Sequence, residues 1–405
     1  MIRGYQRGLS CILVVCIILL SSCISDSLPR QNAKQPGQSR RPEVTPESTP
    51  APMPAGRGIT KMKVRAVGDI MAHMPVINSG LQADGTYNLK HLFEDIRSYL
   101  EGADIVTANL ETTISNPEKG YGGFPRFRTP EALLHALRYA GFNLLTTANN
   151  HTFDGKEFGV HYTLNKLDEY GFLHTGSARS QEERDRVLIV DSNDIKAGIL
   201  AYTYGTNGME AFISNDNLSF MVNYIERNRM RQDISRAREA GAEVLIVSIH
   251  WGDEYVRMPN GFQKETADFL ASMGVDIILG SHPHVIQPME RRNVTLEDGT
   301  EKEVFIIYSM GNFISNQQER YRDSGVIIDV EIIKDYDRET IELGEISYTP
   351  TWVYRFKEKG GFNYRILPVG QFLNGENDLS DSARERMREV LSETTEHLGK
   401  EGFQD

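Results

Sequence analysis

Between Met62 and Asn316 short β-rich runs alternate with helical stretches, and most of the runs stop on residues able to bind a metal ion. The runs are Lys63 to Val67, Ile105 to Asn109, Leu144 to Ala148, Ala197 to Ala201, Val244 to His250, Ile277 to Leu279 and Val304 to Ser309. Helical patterns lie between them at Pro130 to Tyr139, Phe158 to Tyr170, Arg227 to Ala240 and Gln263 to Met273, closed by Gly141, Gly171, Gly241 and Gly274. Glycine tolerates the left-handed turn that ends a helix, so these positions read as stops. Strand-helix alternation predicts an α/β fold, a layered β-sheet core flanked by helices. Ligands in such folds collect beyond the carboxyl ends of the strands.

Those ends carry the same few residue types. Gly68 and Asp69 follow the first run, Asn109 and Glu111 close the second, and Asn149, Asn150 and His151 follow the third. His250 ends the Val244 run with Trp251, Gly252, Asp253 and Glu254 behind it, the Ile277 run opens into Gly280-Ser281-His282-Pro283-His284, and the Val304 run into Gly311-Asn312. Carboxylate, amide oxygen and imidazole suit Mn, Fe or Zn. A bridging carboxylate can hold two such ions about 3.5 to 4 Å apart, where they clamp a phosphoryl or carbonyl oxygen and acidify a shared water. Gly280 and Gly311 suit tight turns. Pro283 stiffens the loop between His282 and His284.

Each piece has a structural reading when taken alone: His250 as a packed histidine, Asn149 and Asn150 as caps or turn residues, Gly68-Asp69 as an ordinary turn. Independent caps have no reason to put histidines at three separate strand ends, and the conjunction favours a two-metal site. His91, His135, His161, His174 and His397 fall outside the pattern and read as structural or surface groups.

At the N-terminus, Arg3 and Arg7 precede an uncharged apolar run from Leu9 to Leu20. It is about 12 residues long, short of the ~20 that span a bilayer, and has the layout of a signal peptide over 1–22. Leu20-Ser21-Ser22-Cys23 has the form of a lipobox, so Cys23 is expected to carry the lipid; an ordinary cleaved signal with a chance cysteine is the competing reading. Cys11 and Cys16 leave with the signal, so the mature chain has one cysteine and no internal disulfide. Residues 23–60, proline-dense from Pro42 to Pro54, read as a semi-extended tether, 61–370 as the folded domain and 371–405 as a C-terminal amphipathic helix over Leu379 to Leu398. Ser382 and Glu385 are its expected capping box. Loss of Arg3 and Arg7 takes the formal charge from -12 to -14, which argues against nucleic-acid binding and requires a local cation cluster or metal for any acidic substrate.

The strand-end stretches also resemble the CapA family of capsule poly-γ-glutamate synthesis proteins, whose domain is similar to calcineurin-like metallophosphatases. The stretches are Val67-Gly68-Asp69-Ile70-Met71, Asn109-Leu110-Glu111, Phe127-Arg128-Thr129-Pro130, Ala148-Asn149-Asn150-His151, His250-Trp251-Gly252-Asp253-Glu254-Tyr255, Gly280-Ser281-His282-Pro283-His284 and Tyr308-Ser309-Met310-Gly311-Asn312-Phe313. The resemblance implies a metallo-dependent phosphatase-like core with two divalent ions. Asp69 and His284 would bind the first ion, Glu111 would bridge, and Asn150, His250 and His282 would bind the second. His151 would be the catalytic acid or transition-state donor. Met71 stands where the phosphatases have a histidine ligand, which leaves the first ion one ligand short; His73 has the wrong spacing for the motif.

Arg128, with Phe127 and Tyr255, is a candidate clamp for a substrate carboxylate or phosphate, its alternative being a surface arginine, and Asn312 is a further candidate contact. The resemblance implies a lipid-anchored protein on the extracellular face of the bacterial cell membrane. It would bind or cleave poly-γ-glutamate or a related anionic polymer beside capsule synthase membrane proteins. An extracellular nucleotidase-like phosphoesterase and a non-catalytic scaffold are the alternatives.

Overall fold

The first strand extends beyond its apolar run. The computed structural model describes residues 58–358, 360–375 and 377–404 and has a strand over Ile59–Ile70. Ile59 and Thr60, expected in the tether, are thus the start of the fold: they pair with Asp335 and Lys334 of the antiparallel strand Ser324–Asp335. The signal, Cys23 and the tether up to Arg57 lie outside the described residues. Among the described residues no helix is long and apolar enough to cross a membrane.

Two sheets result. In the first, the strands run in the order Gly361–Pro368, Thr340–Glu358, Ser324–Asp335, Ile59–Ile70, Ile105–Leu110, Leu144–Thr146, Leu173–Thr175, with Asn312–Ile314 added beside the end of Ile59–Ile70. The second runs Ile286–Thr295, Glu301–Met310, Ile277–Ser281, Val244–His250, Ile195–Thr203, Leu188–Ser192. Each has a parallel centre: Ile59–Ile70 with Ile105–Leu110 in one, and Ile195–Thr203, Val244–His250 and Ile277–Ser281 in the other.

Alternation along the strands decides how the layers stack. Val64, Ala66 and Ile105 of the first sheet share a core with Ala197, Ile199, Val244, Ile246 and Ile277 of the second, so the sheets lie face to face. The opposite faces are covered by helices. Val106, Ala108 and Leu145 meet helices Ala132–Ala140 and Lys156–Glu169. Leu245, Val247 and Ile249 meet Arg227–Glu239 and Gly261–Ser272. Helix, sheet, sheet, helix is the layered α/β core that the alternation predicts, and both parallel centres open at one end.

The C-terminal helix is Asp381–Leu398, and its cap differs from the expected one. Ser380 precedes it with extended backbone, which lets the Oγ turn back and accept from the Ala383 amide at 3.2 Å; Ser382 already lies inside the helix. Ala383, Met387 and Val390 pack on Trp352 and Leu367 of the antiparallel half and on Val369 of the short helix Val369–Asn374. Across that half, Arg65 reaches Asp329 through two charge-assisted hydrogen bonds of 2.6 Å, tying the parallel strand to its antiparallel neighbour.

Candidate metal centre

The strands deliver their polar ends because the chain can approach itself closely there. A Cβ on Gly68 would sit 1.9 Å from the Gly311 carbonyl oxygen, and one on Gly280 would sit 2.0 Å from that of Tyr308. Gly280 is therefore needed for close approach within a strand, not for the turn expected of it, whereas Gly311 does take a left-handed φ of 72°. The Asp69 amide donates to Gly311 O at 3.0 Å, and the Glu111 amide to Ile70 O at 3.1 Å. His250 and Ser281 stand opposite each other at the ends of neighbouring parallel strands. Beyond Ser281 the loop holds His282 at φ 98° and His284 at φ 56°. Two histidines on positive-φ backbone, separated only by Pro283, are costly, and such strain persists where surrounding contacts enforce it.

Those contacts are specific. The His282 amide donates to Asp69 Oδ2 at 3.2 Å, and His284 Nδ1 donates to the same oxygen at 3.1 Å. Asn109 Nδ2 donates to Asp69 Oδ1 at 2.8 Å, while Asn149 Nδ2 donates to Asn109 Oδ1 at 3.0 Å. His250 Nε2 lies 3.1 Å from Asn150 Oδ1, and its Nδ1 lies 3.0 Å from the Ser281 hydroxyl, which can serve either tautomer. Glu111 Oε1 lies 3.6 Å from His250 Nε2 and 3.8 Å from His284 Nε2. It is buried and has no hydrogen-bond partner, as are His282 Nδ1 and Asn312 Oδ1.

Burial governs the charges. It pushes the Glu111 carboxyl well above the usual range, with the Asp69 charge adding to the effect. At Asp69 burial acts upward too, but the His284 and Asn109 hydrogen bonds outweigh it and hold the acid below its usual value. His250 is driven well down by burial and then by His282; His282 itself falls to about 3 through burial and the His284 ring. Neutral imidazoles can serve as metal ligands, and His282 Nδ1 has no other partner.

Asp69, Glu111 and His284 form one metal-competent group, and Glu111, His250 and His282 another, with donor atoms within 4.8 Å of one another in each. Glu111 belongs to both, as a bridging carboxylate must. Asn150 adjoins the second group through His250. The donor set and the three unpartnered buried atoms fit divalent ions.

Several residues have neighbours that the sequence did not disclose. Glu254, noted only as trailing His250, forms a third metal-competent group with His282 and His284. Tyr204, one residue past the strand Ile195–Thr203, stacks on His250 at a centroid distance of 6.2 Å and packs at a tilt on His282 at 4.6 Å. Its position after a strand end was the available signal. His151 Nδ1 is held 2.7 Å from Asp154 Oδ2, which also accepts from the Phe127 amide at 2.5 Å; this leaves His151 Nε2 free of that pair. Met71 is buried, and the nearby His73 joins none of the three groups; its Nδ1 accepts from the Asn316 amide at 3.2 Å and its ring packs on Phe127.

The expected clamp of Arg128 with Phe127 and Tyr255 is not what the structure has. Arg128 donates from Nη1 to Lys119 O at 2.7 Å and lines a separate cavity, and Phe127 is buried against His73 and His151. The cation over Tyr255 is Arg322, 3.4 Å from the ring centroid, beside His284. Asn312 is fully enclosed; its Nδ2 donates to Arg322 O at 2.8 Å and His284 O at 3.3 Å, bracing the histidine loop. His91, His174 and His397 bond to Ser79, Asp168 and the Arg257 carbonyl, and neither they nor His135 and His161 enter a metal-competent group.

The family model described as bacterial capsule synthesis protein PGA_cap matches residues 63–317. Capsule biosynthesis protein CapA of Bacillus anthracis is 26% identical over 275 residues, 66% of this chain and 63% of that protein. PGA biosynthesis protein CapA of Bacillus subtilis (strain 168) is 27% identical over 268 residues, 64% of this chain and 65% of its own length. The chain thus spans just under two thirds of the length of these curated relatives. Among solved structures, a phosphatase from Mycoplasma pneumoniae is 14% identical with a TM-score of 0.41, covering 72% of this chain and 94% of that one. The calcineurin-like phosphoesterase YfkN of Bacillus subtilis is 13% identical with a TM-score of 0.39, covering 84% of this chain and 100% of that one.

Proposed function

This chain belongs to the bacterial capsule synthesis protein family, and on that premise we propose that it works in capsule synthesis through a two-metal centre at its strand ends. The polymer is poly-γ-glutamate or a related anionic chain, met on the extracellular face of the cell membrane, where Cys23 holds the protein by its lipid beside the synthase. The observation that carries the reading is Glu111 Oε1, a buried oxygen with no hydrogen-bond partner set between His250 and His284. A buried carboxylate costs several kcal/mol unless paired, and a shared pair of ions is the pairing its neighbours are built to provide.

Asp69, Glu111 and His284 would hold one ion, and Glu111, Asn150, His250 and His282 the other, with Glu254 placed to complete the set that Met71 leaves short. Bound there, divalent ions would supply an acidified water and polarise the scissile carbonyl or phosphoryl group. His151, steadied by Asp154 through Nδ1, keeps Nε2 to hand a proton to the leaving group. Asn109 fixes Asp69 and faces His250, so it sets ligand orientation from behind.

Metal analysis of the purified chain tests the centre. About two equivalents of Mn, Fe or Zn are expected, with at least one lost in His282→Ala and in His284→Ala; unchanged content in both variants overturns the ligand assignment. Incubation with γ-linked glutamate polymer is expected to release shorter oligomers, abolished by His151→Ala. Turnover of nucleotides or phosphodiesters in its place would make the protein a phosphoesterase. Capsule formation that survives both His151→Ala and Glu111→Ala in cells would make it a scaffold.

A further inference from the structure

Arg128 lines a cavity of about 340 Å³ together with Lys119, Arg126 and Lys156. Among the described residues none of these four cations has a carboxylate partner. Some arginines elsewhere pair closely with acids, as Arg184 does with Asp233 at 2.7 Å and Arg365 with Asp95 at 2.7 Å, and others bond to backbone oxygens, as Arg138 does to Phe142 O at 3.0 Å; what sets these four apart is that they gather around one opening. In a chain of formal charge -12, four unpaired cations around one opening are an exception to the composition.

Aromatic rings hold three of them in place of acids, and Arg128 is held by the Lys119 carbonyl. Lys119 Nζ lies 5.3 Å from the Phe158 ring centroid, while Lys156 Nζ and the Arg126 guanidinium lie 4.8 and 5.9 Å from that of Phe212. Both rings are exposed, Phe212 by 54%. A cation over an aromatic face keeps its charge available, whereas an ion pair neutralises it. The one carboxylate in the lining, Asp154, commits Oδ2 to His151 Nδ1 and the Phe127 amide. The cavity is therefore one side chain away from the proposed proton donor.

We propose that this cavity is a subsite that grips a chain of repeating carboxylates next to His151. One small anion would engage one or two of the cations. Four, spread between apolar rings, match acidic groups repeated along a flexible chain whose methylenes lie on Phe158 and Phe212. The choice of carboxylate rests on the capsule-polymer reading above; the grip itself needs no bound metal.

The test is a titration of a fluorescent γ-linked glutamate decamer into the full chain in EDTA, read by anisotropy. Lys119→Gln with Arg126→Gln is expected to weaken binding at least ten-fold while leaving the melting temperature unchanged. Arg128 stays anchored in that variant because it bonds to the backbone oxygen of Lys119. Lys156→Gln alone, at an exposed position, is expected to weaken binding two- to five-fold. Unchanged affinity in both variants overturns the subsite, and polyphosphate binding more tightly than the glutamate chain overturns the carboxylate assignment. Since no metal or turnover enters the measurement, failure of the metal centre leaves this result standing, and the reverse holds too.

Discussion

Glu111 concentrates the tension in the site. Its carboxyl is fully buried, pushed toward the neutral form by burial and by Asp69, and has one oxygen without a partner. In a protein with no metal such a group is a defect, since an apolar or amide replacement would relieve the desolvation. Glu111→Gln keeps the shape and removes the acid. In chelator the variant is expected to melt no lower than the wild type; with Mn or Zn added it is expected to miss most of the wild type's gain in melting temperature. A scanning-fluorimetry comparison in both buffers decides it, and a variant stabilised by metal as much as the wild type would remove Glu111 from the ligand set. The candidate ligands were legible in sequence because a His or Glu at the end of an apolar run breaks the pattern around it. Asp154 and Tyr204 were not, because their parts depend on which side chain the fold sets against them.

Strand spacing is what turns those residues into a centre, and Gly280 is where it is most exacting. A Cβ there would meet the Tyr308 oxygen at 2.0 Å, backbone against backbone, with no side chain free to yield. Gly280→Ala is expected to destabilise the fold by about 3 kcal/mol or more, at the upper end of single substitutions, and to lower metal content because His282 and His284 follow directly. Gly299, at a positive φ that Gly280 does not have but with nothing within 4 Å of an added Cβ, serves as control. Gly299→Ala should cost only the left-handed penalty, roughly 1–2 kcal/mol, in urea denaturation. Equal costs at the two sites would show that close approach is not the constraint. The parallel centres could be read from sequence because helices punctuate them. Ser324–Asp335, Thr340–Glu358 and Gly361–Pro368 escaped that reading because tight connections join them with no helix between to mark their limits.

Which face of each sheet meets the other was also beyond the sequence. The run Val244 to Ile249 is apolar on both faces, Val244 and Ile246 toward the other sheet and Leu245 and Val247 toward helices, so periodicity could not choose between them. The choice matters to function because the candidate ligands divide between the layers. Asp69, Glu111 and Asn150 come from the first sheet; His250, His282 and His284 come from the second. Metal bound among them would join the two halves of the sandwich at their open end, where the shared apolar core gives way to polar side chains. Stability and metal should then be linked for the whole molecule. At free metal one hundred times the dissociation constant, each site that binds only the folded chain contributes about 2.7 kcal/mol. Chelation is expected to lower the melting temperature by several degrees and to speed amide exchange at Asn109 to Glu111, Asn149 to His151 and Ser281 to His284 together, while Leu245 to Val247 in a central strand of the second sheet keeps its protection. If exchange rises in the loop Ser281 to His284 alone, the ions are held by the second sheet and do not connect the layers.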